Sequence, residues 1–227
     1  MVLAFAAAGA DVVIASRKQE ACDVVAATVH ERGRQALAVS CHVGRWGDID
    51  RLIDSAYERF GRIDVLVNNA GMSPLYPSLA EISEELYDKV MAVNLKGPFR
   101  LGAVIGARMA AGNGGSIINV SSIAASRPTP IEAPYAAAKA GLNNLTVALA
   151  QAYGPKVRAN AIEAGPFLTD ISKAWAGAAF DAHARRNICL QRAGQPHEIV
   201  GTALYLASDA SSFTTGAVLR VDGGMRG

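Results

Sequence analysis

The strongest constraint on this 227-residue chain is a regular alternation of short aliphatic and β-branched runs with longer amphipathic stretches. Candidate strands fall at residues 12–15, 36–40, 65–68, 116–120, 156–162 and 217–221. Candidate helices lie between them, at 19–32, 48–60, 83–111, 135–153 and 197–206. Within the second of these, Leu52, Ile53, Ala56 and Phe60 recur at helical spacing. Strands that are apolar throughout need cover on both faces, and parallel strands linked by helices provide it. The expected architecture is a doubly wound α/β sheet that binds ligands beyond the carboxyl ends of its strands. No composition break, low-complexity tract or repeat interrupts the alternation, which predicts one domain over residues 1–227.

Composition narrows the function classes. Apolar residues make up 51% of the chain, enough for a sizeable core, and charged residues 19%. The formal charge of +2 gives no reason to expect nucleic acid or an anionic membrane as a partner. Cys22, Cys41 and Cys189 are too scattered for a disulfide framework or a zinc cluster. The histidines, His30, His42, His183 and His197, show no ligand spacing, so no metal is expected. No apolar run reaches the roughly 18 residues of a membrane span. The opening residues carry no basic segment, and Asp11 interrupts them, unlike a secretion signal. A cytoplasmic enzyme with reduced thiols is the expectation.

The start of the chain departs from a complete fold of this kind. A nucleotide-binding sheet usually opens with a strand, a glycine-rich turn and a helix whose N-terminus holds pyrophosphate. Here a helical stretch at 2–8 comes first, closes at Gly9 and leads directly into a strand. The expectation is therefore a fold lacking its first strand, in a sequence that begins downstream of the natural start.

The chemistry-bearing residues cluster on the middle of the chain. Ser121 and Ser122 end the strand at 116–120, Tyr135 follows Ser122 by thirteen residues, and Lys139 follows Tyr135 by four. Positions i and i+4 share one helix face, so Tyr135 and Lys139 point into one pocket. Pro134 suits a first helical turn, and Ala136, Ala137, Ala138 and Ala140 leave room for a bulky ligand. A nearby ammonium favours the phenolate, bringing a tyrosine toward the range where it exchanges protons with a carbonyl or an alcohol. Of the six tyrosines, Tyr135 alone has lysine at i+4.

With these residues in order, the chain resembles the short-chain dehydrogenase/reductase family. The resemblance runs from Ala7-Ala8-Gly9-Ala10 to Val221-Asp222-Gly223-Gly224. It rests on Val67-Asn68-Asn69-Ala70-Gly71, Val93-Asn94, Ser122 with Tyr135 and Lys139, Gly165-Pro166-Phe167-Leu168-Thr169, and residues 192–206. It implies a Rossmann-like fold and hydride transfer between a nicotinamide cofactor and a carbonyl or secondary alcohol. Tyr135 would be the general acid/base, and Ser122 would orient the substrate oxygen. Lys139 would bind the nicotinamide ribose and lower the Tyr135 pKa. Asn94 would hold a water linking Lys139 to a proton relay, and an amide capping a helix kink is a compatible reading of the same residue.

The resemblance also assigns cofactor contacts. Asn69, Ala70 and Gly71 would lie beside the adenosine ribose, and Gly165, Phe167 and Thr169 at the nicotinamide carboxamide, although Ala164 replaces the family's usual proline. Ser16 stands where an acidic residue would select NAD, and Arg17 beside it suits a 2′-phosphate. NADP(H) is therefore favoured over NAD(H). His42 and Val43 occupy the adenine position, with His42 replacing the common aspartate. Trp175, Phe180, Arg185 and Arg186 fall in a region that forms a substrate lid in the family. Family members assemble through helices like those at 83–111 and 135–153, which implies a homotetramer, or else a dimer. The competing expectation is a degenerate scaffold or ligand-binding protein without turnover, because the pyrophosphate turn is absent.

Overall fold

The computed structural model describes residues 1–170, 172 and 176–226. Among the described residues, six strands and eight α-helices alternate in the expected order. They are α1 (Val2–Ala7), β1 (Val12–Ser16), α2 (Gln19–His30), β2 (Ala36–Ser40), α3 (Trp46–Phe60), β3 (Val65–Asn68) and α4 (Glu84–Met91). There follow α5 (Gly97–Ala111), β4 (Gly115–Ser122), α6 (Ala133–Tyr153), β5 (Val157–Ala164), α7 (Ala178–Asn187), α8 (Val200–Ala207) and β6 (Val218–Val221). Every strand pairing is parallel.

The strands alternate their side chains between two helix layers. Ile117 joins a core with Ile49 and Ile53 of α3, Leu101 and Ile105 of α5, and Leu149 of α6. Its neighbour Ile118 points the other way and packs with Ile162, Ala203 and Leu206 against α8. On β1, Val13 faces the first layer, whereas Ile14 packs on Cys22, Ala26 and Val29 of α2. This is the doubly wound, Rossmann-like arrangement that the alternation predicts.

The ladder is interrupted between β1 and β3. β1 pairs with β2, and β3 starts a second ladder in the order β3-β4-β5-β6, with no strand pairing between the two. Helices bridge the break on both faces. α1 packs Ala6 into the β1/α2 core and Phe5 against the core of β3, β4 and α8. On the opposite face, the α3 residues share one cluster with Val13 of β1, Val39 of β2 and Leu66 of β3.

One predicted helix is corrected. The pattern at 83–111 reads as a continuous helix, but the structure divides it into α4, a π-helical turn over Ala92–Lys96, and α5. A turn of this kind is defined by its backbone hydrogen bonds and has no residue-type signature, so the sequence pattern does not locate it. No helix among the described residues is long and apolar enough to cross a membrane. Nor do those residues hold a group of three or more His, Cys, Asp or Glu placed to bind a metal.

Candidate active site

β4 carries the site to the carboxyl end of the longer ladder. All eight of its residues pair with β5, and residues 116–119 pair with β3 as well, so the tip at Ser121 and Ser122 is held by β5. A buried polar chain sets α6 against it: Asn68 Nδ2 donates to Asn119 Oδ1 at 2.8 Å, and Asn119 Nδ2 donates to Thr146 Oγ1 at 2.8 Å. The two serines at the tip then separate. Ser121 is buried and donates to the Lys139 carbonyl at 3.3 Å, so its hydroxyl is committed to backbone. Ser122 accepts from Ala124 N at 3.2 Å and lies near enough to the Tyr135 phenol to pull its pKa down.

Tyr135 and Lys139 sit in the first turns of α6, with Pro134 beside them where a missing N–H costs nothing. The Lys139 ammonium lies 5.6 Å from the Tyr135 ring centroid and donates to the Val120 carbonyl at 2.7 Å. Lys139 is 3% exposed, and burial lowers its pKa to about 8. The expectation that Lys139 depresses the Tyr135 pKa is corrected in this arrangement. Burial raises the phenol above its ordinary value, Ser122 opposes that rise, and the Glu132 carboxylate adds to it. The phenol's own desolvation is the largest of these effects.

Asn94 reaches the same place from the π-helical turn. Fully buried, it donates to Val90 O at 2.8 Å and Met72 O at 2.9 Å, and its Oδ1 accepts from Met72 N at 3.2 Å. It therefore ties the π-helical turn to the loop after β3. Gly71 on that loop is cradled by the site: a Cβ there would stand 3.1 Å from Asn94 Oδ1 and 3.7 Å from Lys139 Nζ. Ser122, Tyr135, Lys139, Asn94 and Gly71 thus converge, while Asn69 and Ala70 lie exposed beside them.

The loop after β5 forms the next wall. Phe167 bridges to Gly194, where a Cβ would meet the Phe167 ring at 2.6 Å and displace it. Leu168 N donates to Gly194 O and Gly194 N to Pro166 O, both at 2.9 Å. Gly165 packs directly on the Asp222 backbone, and Thr169 is exposed. A bidentate ion pair between Arg192 and Glu198, both contacts 2.7 Å, stiffens the segment that carries Gly194.

Ser16, Arg17, His42 and Val43 lie at or just beyond the strand ends of the shorter ladder. Ser16 ends β1 with its hydroxyl 3.2 Å from Cys22 Sγ, and the Arg17 side chain is exposed without an ion pair among the described residues. His42 Nδ1 accepts from Gly44 N at 3.1 Å, which commits that ring nitrogen to its own loop. Val43 is half-buried, with its carbonyl tight against Gly97. Phe180, Arg185 and Arg186 lie on α7, and Trp175 is outside the described residues.

Small residues, a buried ammonium and polar backbone at strand ends suit the nicotinamide ribose and adenosine of a dinucleotide. Among the described residues no glycine-rich turn meets its pyrophosphate. Two residues were missed from sequence. Tyr76 donates to Pro130 O at 2.6 Å and accepts from Ala133 N at 2.7 Å, a contact across 57 positions that has no local signal. Glu132 stands three residues before Tyr135, a spacing that could have flagged it.

A parallel sheet covered on both faces, with tyrosine, lysine and serine joined at a strand end, defines a nicotinamide-dependent oxidoreductase of the Rossmann class. The family profile described as enoyl-(acyl carrier protein) reductase matches residues 1–226. The chain is 35% identical to dehydrogenase/reductase SDR family member 4 of Pongo abelii, over 95% of this chain and 78% of that protein. Among solved structures, a gluconate 5-dehydrogenase from Burkholderia cenocepacia, complexed with NADP and tartrate, superposes with a TM-score of 0.93. It is 33% identical, over 98% of this chain and 88% of the other. A 7α-hydroxysteroid dehydrogenase complexed with NADH and 7-oxo glycochenodeoxycholic acid gives 0.92 at 30% identity, over 97% and 86%. The chain belongs to the short-chain dehydrogenase/reductase family and is an NAD(P)-dependent oxidoreductase of it.

Proposed function

We propose that the protein interconverts a carbonyl and the corresponding secondary alcohol with NADP(H), using Tyr135 as general acid/base. The convergence of Ser122, Tyr135, Lys139 and Asn94 beside Gly71 carries this reading. The bound cofactor supplies or accepts the hydride. Tyr135 gives its proton to the carbonyl oxygen during reduction and takes it back from the alcohol during oxidation. Ser122 donates a hydrogen bond to that oxygen and holds it in line with the phenol. Lys139 binds the nicotinamide ribose, and Asn94 fixes the loop that carries Gly71 and serves the proton path behind Lys139. Ser16, His42, Val43, Asn69 and Ala70 line the adenosine end, and Gly165, Phe167 and Thr169 the carboxamide end.

NADP(H) is favoured because Arg17 follows β1 with its guanidinium unpaired among the described residues, where a 2′-phosphate would meet it. Self-association to a tetramer is supported by the groove between α5 and α6, which is lined by Leu95, Phe99, Leu145 and Ala148 and leaves Phe99 and Val147 exposed. The cytoplasm is the proposed compartment.

Fluorescence titration with NADPH and NADH, followed by a ketone panel, tests the reading. Tighter binding of NADPH and a Tyr135→Phe variant that keeps this binding but loses about 10²–10⁴-fold in kcat are expected. A folded chain that binds neither cofactor would overturn it.

A further inference from the structure

α6 begins at Ala133, and the first N–H groups of a helix have no partner inside it. Glu132 stands at the N-cap, yet its side chain makes no capping hydrogen bond. The cap comes instead from a loop 57 positions away. Ala133 N donates to the Tyr76 hydroxyl at 2.7 Å, and that hydroxyl donates to Pro130 O at 2.6 Å. One phenol thus closes the 3₁₀ turn at Pro130–Glu132 onto the start of the helix that carries Tyr135. Tyr76 is held in its turn, because both backbone groups of nearby Met72 are bonded to Asn94, at 2.9 and 3.2 Å. Residues 72–76 therefore form a strap from the Gly71 cradle to the first turn of α6.

Ser122 and Tyr135, the two groups that would meet the substrate oxygen, stand at the ends of one connection. The sheet fixes its near end, where Ser122 pairs with Ala164. Its middle is tied by Arg127 Nη1, which donates to Met225 O at 2.6 Å. Its far end, where the chain enters α6, is the part that Tyr76 holds. Tyr135 lies just past Ala133, inside the turn where a helix frays most readily. One turn further on, Ser121 and Lys139 bind α6 to β4. Loss of the Tyr76 cap would free the first turn without releasing the helix.

We propose that Tyr76 is a positioning residue for the reaction: its hydroxyl caps α6 from the loop after β3 and so keeps the Tyr135 phenol aligned with Ser122. The proposal rests on the carbonyl/alcohol reading above. Without the hydroxyl, the half-buried Ala133 N–H loses its acceptor and the first turn can shift. A shift of about 1 Å in a reacting group can cost about 10²-fold in rate. The other clamp on the strap, Asn94 on Met72, is untouched, so the Gly71 cradle stays in place.

Tyr76→Phe keeps the ring and deletes the hydroxyl. Rates are measured with NADPH and cyclohexanone or acetophenone, whichever the native chain reduces faster. The variant should lose about ten- to hundredfold in kcat, while the NADPH Kd stays within about twofold. A double-mutant cycle on kcat with Ser122→Ala separates alignment from support of the fold. If Tyr76 aligns Tyr135 with Ser122, Tyr76→Phe should cost less than about threefold once Ser122 is gone. An unchanged kcat in Tyr76→Phe, or the same loss in both backgrounds, would overturn the proposal. If the native chain reduces neither ketone, the carbonyl reading fails separately, and alignment is judged by NMR of the chain labelled at tyrosine Cζ. The Tyr135 resonance, assigned with Tyr135→Phe, must then move in Tyr76→Phe, and the Ala133 amide must lose its exchange protection. A Tyr135 resonance that stays in place would also overturn the proposal.

Discussion

Lys139 is the residue whose physics is most exposed to measurement. Its ammonium is buried with one carbonyl as partner, so the folded chain releases the proton at about 8 rather than near the ordinary 10.5. Below the folded pKa both states are protonated and folding bears the full desolvation cost. That cost fades as pH rises from about 8 toward 10.5, where both states become neutral. A Lys139→Met variant should therefore be more stable than the native chain at pH 7, by up to about 3 kcal/mol. The gain should shrink toward zero above pH 10 in urea unfolding, while NADPH binding weakens at every pH. A Met variant less stable at pH 7 would mean that the bond to Val120 outweighs the burial of charge. At this scale the sequence exposes what local spacing encodes: Tyr135 and Lys139 share a helix face, and Ser122 ends a strand. It conceals what tertiary packing decides, such as the direction of the Tyr135 pKa and the grip of Tyr76 on residues 54 to 57 positions away.

At the scale of elements, glycine separates helices that need a close approach from those that do not. Gly97 opens α5 against Val43, and a Cβ there would fall 2.2 Å from the Val43 carbonyl oxygen. Neither backbone can yield without moving the adenine-side loop. Gly97→Ala should lose more than about 1–3 kcal/mol and weaken NADPH binding, measured by urea unfolding and fluorescence titration. Gly201 in α8 has nothing within 4 Å of a built Cβ, and its φ is ordinary. There alanine should gain about 0.5–1 kcal/mol through helix propensity. Equal effects at the two sites would refute the close approach. Asn94 governs the junction between α4 and α5, and Asn94→Ala would remove its side-chain bonds to Val90 O and to both Met72 backbone groups. A loss of at least roughly 1–3 kcal/mol is expected, with higher Km for cofactor because the Gly71 loop is no longer anchored. The strand positions were legible because apolar runs of four to eight residues rarely hide in a parallel sheet, and β2 and β3 match the pattern residue for residue. The π-helical turn was not, because its i→i+5 hydrogen-bond pattern carries no residue-type signature.

Across the whole molecule, two ladders are held together by helices rather than by a continuous sheet. β4 is hydrogen-bonded on both sides and anchored through Ile117, Ile118 and the Asn68-Asn119-Thr146 chain. β1 has a partner on one side only, and its link to β3 runs through side chains of α1 and α3. Side-chain packing across such a break is less directional than a hydrogen-bonded ladder, so the shorter ladder can open while the longer one stays folded. The cofactor reading spans this break, with Arg17 and His42 on one side and Gly71, Tyr135 and Lys139 on the other. Native-state hydrogen exchange should resolve two units. Amides of β4 and β5 should exchange only through global unfolding, and those of β1 and β2 at free energies at least roughly 2 kcal/mol lower. Saturating NADPH, which would contact both sides, should raise the β1 and β2 values toward the β4 value, because ligand that binds only the closed state stabilises it by mass action. Identical exchange free energies in both ladders before NADPH is added would show that α1 and α3 already couple them into one cooperative unit. An NADPH effect confined to β4 and β5 would place the cofactor on the longer ladder alone and remove Arg17 from its site.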